Sequence, residues 1–332
     1  MKRYGYLFDR VVSFENLLNA SKEAFKGKKH KQEVAKFYFD MEKEILKLQK
    51  ELKARTYEPK PLNTFRIKEP KVREIGAPEF RDRVVHHAVC RMIEPLFERS
   101  YIYHSYACRN GKGTHRAIEH AQGLSKRYDY FIKCDVRKYF ESVDHRTLKL
   151  LLRRKFKDPE LLWLLDKIID AYGEEGKGIP IGCLTSQHFA NFYLDRFDHF
   201  IKDELGVKGY LRYMDDFVLF GNEKEILHEL RSRFADFLRE ELRLSLKESA
   251  TVLAPCTEGL PFLGFRIYPS LIRIKHQNKK RLIRKLGNRV EEYNEGLISE
   301  EKYEQSLRSI SEHLKIADTY RLRRDIFEKM FS

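Results

Sequence analysis

Apolar positions at Val34, Phe37, Met41, Ile45, Leu48 and Leu52 recur every three or four residues, which predicts a helix that stops at Tyr57-Glu58-Pro59. Residues 1–30 are mixed aromatic and basic and end in the run Lys26 to Lys31, either a solvated loop or a nucleic-acid contact. The stretch 64–75, TFRIKEPKVREI, alternates apolar and basic residues around Glu69-Pro70 and predicts a hairpin bearing Arg66, Lys68, Lys71 and Arg73. Helices are expected at 79–98, 114–126, 144–172 and Leu227–Leu242, with Trp163 in the core of the third. Strands are expected at Tyr128–Cys134, running into Asp135, at 242–249, bearing Lys247, and as a pair within 259–269, where Gly264 allows a close backbone approach. Two short helices close the chain, with stripes at Tyr303, Leu307, Ile310 and Leu314, then at Tyr320, Phe327 and Met330.

One stretch departs from this pattern. In RYMDDFVLF, residues 212–220, Asp215 and Asp216 are set among apolar and aromatic residues whose flanks read as two short strands around a tight turn at Met214-Asp215. Two neighbouring acids with no basic partner in the segment repel each other, and a purely structural turn is made more cheaply with Asn-Gly or Asp-Gly. A hard divalent cation is the simplest compensation; an ordinary acidic turn is the alternative. Asp135 ends its strand with Phe140 five positions on, and reads either as a further carboxylate of that site or as a cap for the next helix. In 173–194, Gly178, Pro180 and Gly182 bring the backbone close to something, and Thr185, Ser186 and Gln187 open a helix whose free N–H groups favour anions. His86 and His87 are adjacent on a helix and point to different faces, which excludes a metal pair.

Charge narrows the partner. Sixty-five Lys and Arg against 50 Asp and Glu give the 332-residue chain a net charge of +15 and imply a polyanion, while 13% aromatic content implies a folded chain of two or three lobes. With no spanning apolar run, no amphipathic basic helix with a wholly apolar opposite face and no lipidation signal, nucleic acid is favoured over a membrane surface. Cys90, Cys108, Cys134, Cys183 and Cys256 form no C-x-x-C pair, so neither a disulfide framework nor a zinc site is indicated, and the absence of a signal peptide points to the cytoplasm. Residues 271–290 carry eight basic residues and no acid (Arg273, Lys275, Lys279, Lys280, Arg281, Arg284, Lys285, Arg289) over a stripe of Leu282, Leu286, Val290 and Tyr293. They read as a helical rail for a phosphate backbone.

The order of an Arg-bearing hairpin, D-x-x-x-x-F (Asp135, Phe140), G-x-x-x-S-Q (Gly182 to Gln187), Y-M-D-D (Tyr213 to Asp216) and F-L-G (Phe262 to Gly264) resembles reverse transcriptases over about residues 60–270. IGCLTSQ, residues 181–187, looks like the corresponding loop of the enzymes of diversity-generating retroelements. The resemblance implies an α+β right-handed polymerase fold: an N-terminal helical extension (1–60), fingers (61–100 and 144–177), a palm of antiparallel sheet plus helices (101–143 and 178–270) and a short helical thumb (271–332). It implies error-prone, adenine-mutagenised cDNA synthesis from a template RNA. The implied partners are deoxynucleoside triphosphates, the RNA/cDNA duplex and a small basic helical accessory variability determinant protein, itself oligomeric. Catalysis is implied for Asp135, Asp215 and Asp216, with two Mg²⁺ ions (or Mn²⁺) on these residues and Val136. Nucleotide binding is implied for Arg73 with Lys68 or Arg66, and for Tyr139, Phe140, Ile181, Gln187 and Lys247. Nucleic-acid contact is implied for Gly264, Arg273, Lys275, Lys279, Lys280, Arg281 and Arg284. A retron or group II intron enzyme, or a non-catalytic RNA-binding scaffold on the same fold, are the alternatives.

Overall fold

The structure, a computed structural model, describes residues 3–27, 32–68 and 72–331, those after 325 by their backbone only. Two compact units divide the chain: Met1–Cys108, Val136–Leu205 and Arg233–Lys247 form one, and Arg109–Asp135, Gly206–Ser232 and Glu248–Ser332 the other. The segments expected as fingers fall in the first unit and the expected thumb in the second, while the expected palm is shared between them.

The first unit opens with α1 (Phe8–Val11) and α2 (Phe14–Phe25), where Ser13 caps α2 by accepting from Asn16 N. Leu17, Ala20, Ser21 and Ala24 make the buried face of α2, a helical stripe built mostly of small residues. The single helix expected from Val34 is two, α3 (Gln32–Phe39) and α4 (Met41–Lys53), because Asp40 leaves the helical backbone at φ −104° and ψ 30°. β1 (Asn63–Ile67) and β2 (Arg73–Ala77) pair antiparallel as the expected hairpin. Its turn at Glu69-Pro70, with Lys71, lies outside the described residues, as do Lys28 to Lys31 of the basic run.

The centre of the unit is α5 (Phe80–Glu98), on which α1, α2 and α3 pack. Its Asp82 is fully buried and accepts from Tyr57 Oη at 2.9 Å and Lys60 N at 2.8 Å. Further along the chain come α6 (Thr114–Ser125) and β3 (Tyr130–Asp135), both of the second unit, and then α7 (Tyr139–Ser142). The expected helix 144–172 is broken into α8 (His145–Lys155) and α9 (Pro159–Asp170). Asp158 makes the break: one carboxylate oxygen caps Leu161 N and the other accepts from Leu7 N and Phe8 N. Trp163 is half-buried on α9 and not a core residue. α10 (Leu184–His199) then lies against α5.

In the second unit β4 (Gly209–Tyr213) and β5 (Asp216–Gly221) join β3 and, beyond α11 (Lys224–Leu242), β6 (Val252–Pro255) in an antiparallel sheet of order β4-β5-β3-β6. The strand expected at 242–249 does not form a ladder. Leu242, Leu244 and Leu246, which belong to the first unit, do alternate inward, but among the described residues pairing is limited to one bridge, Leu246 to Val136, and to Arg137 N donating to Ser245 O. β7 (Leu260–Phe262), β8 (Phe265–Ile267) and β9 (Ile272–Ile274) make a smaller sheet, and α12 (His276–Asn294) begins only after it. Arg273 therefore sits on a strand and Lys275 is the N-cap of α12, so neither belongs to a helical rail. α13 (Glu300–Lys315) and α14 (Tyr320–Phe331) complete the unit around Leu286, Ile310 and Leu314. Tyr320, expected in a buried stripe, is 72% exposed; the side chains of Phe327 and Met330 lie outside the described set.

Candidate active site

The β4–β5 hairpin turns in the two residues expected, Met214 and Asp215, with Tyr213 opposite Asp216. Met214 has φ +58° and Asp215 does not share the left-handed region, the signature of a II′ turn whose first central position favours glycine. A methionine there carries strain of order 1–3 kcal/mol, which the surroundings must hold. Arg212 does part of this: its side chain is wholly buried, and Nη1 donates to Met214 O at 2.9 Å. Tyr213 Oη and Thr114 Oγ1 lie 3.1 Å apart on the neighbouring side.

Register sets the carboxylates. Asp135, the last residue of β3, pairs with Asp216, the first of β5, and Asp215 occupies the turn beside them. Lys133 precedes Asp135 by two on the same strand face, and its Nζ lies 2.6 Å from Asp216 Oδ1. The neighbouring strand thus supplies Asp216 with a basic partner, so the cation expected as the simplest compensation is not the only one available. Asp216 is nevertheless pushed up to about 6: burial is the main cause, Lys133 opposes it, and Asp135 and Asp215 add repulsion.

Asp135, Asp215 and Asp216 are all half-buried, and Lys133 engages Asp216. Among the described residues no three His, Cys, Asp or Glu side chains gather into a metal cage. That donor set fits a hard ion that takes one or two carboxylates and completes its shell with substrate oxygens, and the repulsion acting on Asp216 is what such an ion relieves. Asp135 is no helix cap: α7 starts at Lys138, with φ +45° and no side-chain cap.

The first unit places the expected nucleotide residues. Arg73 is exposed and makes no hydrogen bond or ion pair among the described residues, whereas Arg66 faces Glu74 across the hairpin at 3.6 Å, and Lys68 is exposed. Gly182, at φ +123°, approaches β2 so closely that a Cβ would lie 2.6 Å from Gly76 O; beside it Gly76 N donates to Ile181 O at 2.8 Å. The glycine-rich loop is therefore moulded to the protein's own hairpin. The same loop holds Phe140, whose carbonyl accepts from Ile179 N at 2.8 Å, so Phe140, Ile181 and the strand of Arg73 share one hydrogen-bonded backbone. Phe140 is half-buried and meets Tyr139 edge-on at 5.7 Å. Tyr139, by contrast, is 2% exposed, and its hydroxyl donates to Ala190 O, which places its side chain in the core. Gln187 is exposed, Val136 has a buried side chain, and Lys247 follows directly on Leu246, the bridge partner of Val136.

In the second unit Gly264 makes the close approach expected of it, but to Asn278 of α12: a Cβ would lie 2.1 Å from Asn278 Nδ2, which donates to Gly264 O at 3.0 Å. Arg273 is exposed beside the Tyr268 ring, 5.9 Å from its centroid. Lys275 is exposed, and its ammonium is lowered by partial desolvation and then by Lys133, with Asp216 acting the other way. Lys280, Arg284 and Lys285 are exposed, and Lys279 and Arg281 half-buried. Cations near the N-terminus of a helix oppose its dipole, so the start of α12 favours a bound polyanion over its own stability.

An antiparallel sheet that delivers two aspartates on a tight hairpin to a third at the end of the adjacent strand belongs to the palms of template-directed polymerases. A solved telomerase of Candida tropicalis, in complex with a TWJ fragment of telomeric RNA, shares the fold at a TM-score of 0.53 and 13% identity, over 84% of this chain and 56% of that one. Residues 60–267 match the model of the reverse transcriptases (RNA-dependent DNA polymerase), and this chain belongs to that family. It carries the domain of an RNA-directed DNA polymerase. Similar curated proteins include Protein YkfC of Escherichia coli, 27% identical over 68% of this chain and 71% of that one, and the group II intron-encoded protein LtrA of Lactococcus lactis, 26% identical over 68% and 50%. The chain thus spans half the length of the intron-encoded protein. No helix among the described residues is long and apolar enough to cross a membrane.

Proposed function

We propose that the chain copies an RNA template into DNA by two-metal phosphoryl transfer. The observation that carries this is the β3–β5 register, which sets Asp135 opposite Asp216 with Asp215 in the turn beside them. Mg²⁺, or Mn²⁺ in its place, bound at Asp135, Asp215 and the Val136 carbonyl would supply an acidified primer 3′-hydroxyl and charge neutralisation at the triphosphate. Arg73, with Lys68, binds the triphosphate; Arg66 is engaged with Glu74. Phe140 lies beneath the sugar and leaves no room for a 2′-hydroxyl, and Lys247 protonates the leaving pyrophosphate. Gly264 grips the primer, and Lys279, Lys280, Arg281 and Arg284 hold the template–product duplex. Asp215→Asn should abolish deoxynucleotide incorporation in Mg²⁺ and leave RNA binding largely intact, since affinity resides in phosphate contacts. Near-parental extension by that variant would remove this site from the mechanism.

The finer reading is that the product is the adenine-mutagenised cDNA of a diversity-generating retroelement, made with an accessory variability determinant protein as partner. Its support is Ile181, an apolar side chain on the backbone that holds the Arg73 strand. An isoleucine offers a nucleotide no hydrogen bond, and one such bond is worth on the order of 1 kcal/mol of discrimination. Likeness to the intron-encoded protein favours a second reading, a group II intron-type enzyme. Sequencing cDNA from the parent and Ile181→Gln separates them. A fall in errors confined to template adenine supports the retroelement, and identical spectra support the intron type.

A further inference from the structure

The charge along α12 is set against its own dipole. Lys279, Lys280, Arg281, Arg284 and Lys285 fill its first half, and no acid stands in its first turn. Glu291, Glu292 and, at the C-cap, Glu295 fill the other end, where the last turn holds no base. A helix is stabilised by the opposite arrangement, so both ends of α12 give up local stability. A bound duplex accounts for the first half only, because acids repel a phosphate backbone. Arg289 holds Glu292 within the helix. Glu291 and Glu295 are exposed and make no ion pair among the described residues.

Spacing gathers the charges on one face. Lys280, Arg284, Gly287, Glu291 and Glu295 recur every three or four residues and are all exposed, on the side of α12 opposite Leu286, which is buried with Ile310 and Leu314. Ile283, 44% exposed, lies at the edge of this stripe. At its middle a Cβ added to Gly287 would meet nothing within 4 Å, so the backbone is bare and another helix can come close. The charges are palindromic: bases at 280 and 284 and acids at 291 and 295 stand symmetrically about the Gly287-Asn288 bond. Laid antiparallel on a copy of itself, the stripe sets Lys280 opposite Glu295 and Arg284 opposite Glu291 in a single register, twice over, with the two glycines adjacent at the centre. Opposed dipoles attract in that arrangement, whereas a parallel pair would set like charges together.

We propose that the exposed face of α12 is a self-association surface, through which two copies of the chain pair antiparallel about a twofold axis. Both copies present the same patch, so the contact closes at two. One helix from each copy is a small contact, well short of a permanent interface, and the pair is weak, with a dissociation constant on the order of tens of micromolar. Lys280 and Arg284 are also the cations assigned above to the template–product duplex, so pairing and duplex binding at α12 exclude each other. Sedimentation equilibrium of the 332-residue chain without nucleic acid tests the pairing. At about 50 mM salt the parent forms a dimer as its concentration rises to about 100 µM, and at about 500 mM salt it is monomeric. Arg284→Glu and Glu291→Arg each set like charges together at both contacts and weaken the pair at least about tenfold. Mixed in equal amounts, the two variants form a heterodimer of parental affinity, because the reversed charges match again, and that result also shows both to be folded. A parent chain that stays monomeric at about 100 µM in low salt leaves the acidic end to some other basic partner and overturns the proposal. Association that survives both reversals, or a mixture that regains none, overturns it as well.

Discussion

Replacing Lys133 with methionine isolates what its ion pair contributes. In the folded chain Asp216 titrates at about 6, above its ordinary 3.8. A raised folded value means that the folded chain holds an extra proton between about pH 4 and pH 6. This group's contribution to stability is therefore complete below the unfolded value and is lost as pH rises through the folded one. At pH 7.5 the carboxylate is ionised opposite Lys133, and that ionisation, about 1.5 units beyond its midpoint, is favourable by about 2 kcal/mol at ~1.36 kcal/mol per unit. Methionine keeps the apolar stem and removes the charge, leaving Asp216 buried against the repulsion of Asp135 and Asp215. It then stays protonated, and the 2 kcal/mol is forfeited. At pH 5 Asp216 is already mostly protonated in the parent, so the substitution removes a buried, unpaired ammonium and its cost vanishes or changes sign. Denaturant titrations of Lys133→Met and the parent in EDTA at the two pH values measure the difference. Equal destabilisation at both would refute the coupling and reduce Lys133 to a packing residue.

Neutralising Lys279, Lys280 and Arg281 together should lower the salt slope of RNA binding by about 2 to 3, at roughly 0.7 to 0.9 per phosphate contact; an unchanged slope would place these side chains in solvent. Phe140→Ala should reduce discrimination against ribonucleotides roughly 10- to 100-fold in competition with deoxyribonucleotides, and unaltered selectivity in a folded variant would make Phe140 a core residue.

The aspartate hairpin is legible in the sequence because three signals coincide there: alternation on both flanks, a turn of fixed length, and two acids where hydrophobicity should continue. Lys133 is harder to see. It stands in YFIKCD, a strand apolar enough to look wholly buried, and only its same-face spacing to Asp135 marks it as a partner. α2 is hidden by composition, since alanine and serine carry most of its stripe. The break at Asp158-Pro159 was available as a capping signal, but the apolar period on either side conceals it. At 242–249 the alternation correctly gives the burial of Leu242, Leu244 and Leu246, yet alternation cannot say whether a second strand is present to pair. Tyr139 is hard to place for a related reason: its ring next to Phe140 suggests equal access, while the fold buries Tyr139 and leaves Phe140 half-buried.

β1 exposes every one of its residues, so the ribbon it makes with β2 has no sealed face of its own. A two-stranded ribbon in water is marginal by itself, and the tie between Gly76 N and Ile181 O secures its Gly76 end. Its amides should consequently exchange with solvent well before those of the helices behind it, at an opening free energy unrelated to global unfolding. If Arg73 binds the triphosphate as proposed, capture is expected to be sequential: the long cationic arm engages phosphate first, and the ribbon orders around it afterwards. Affinity measured at equilibrium is net of that ordering entropy, and any substitution that stiffens the ribbon should tighten ground-state binding while slowing release.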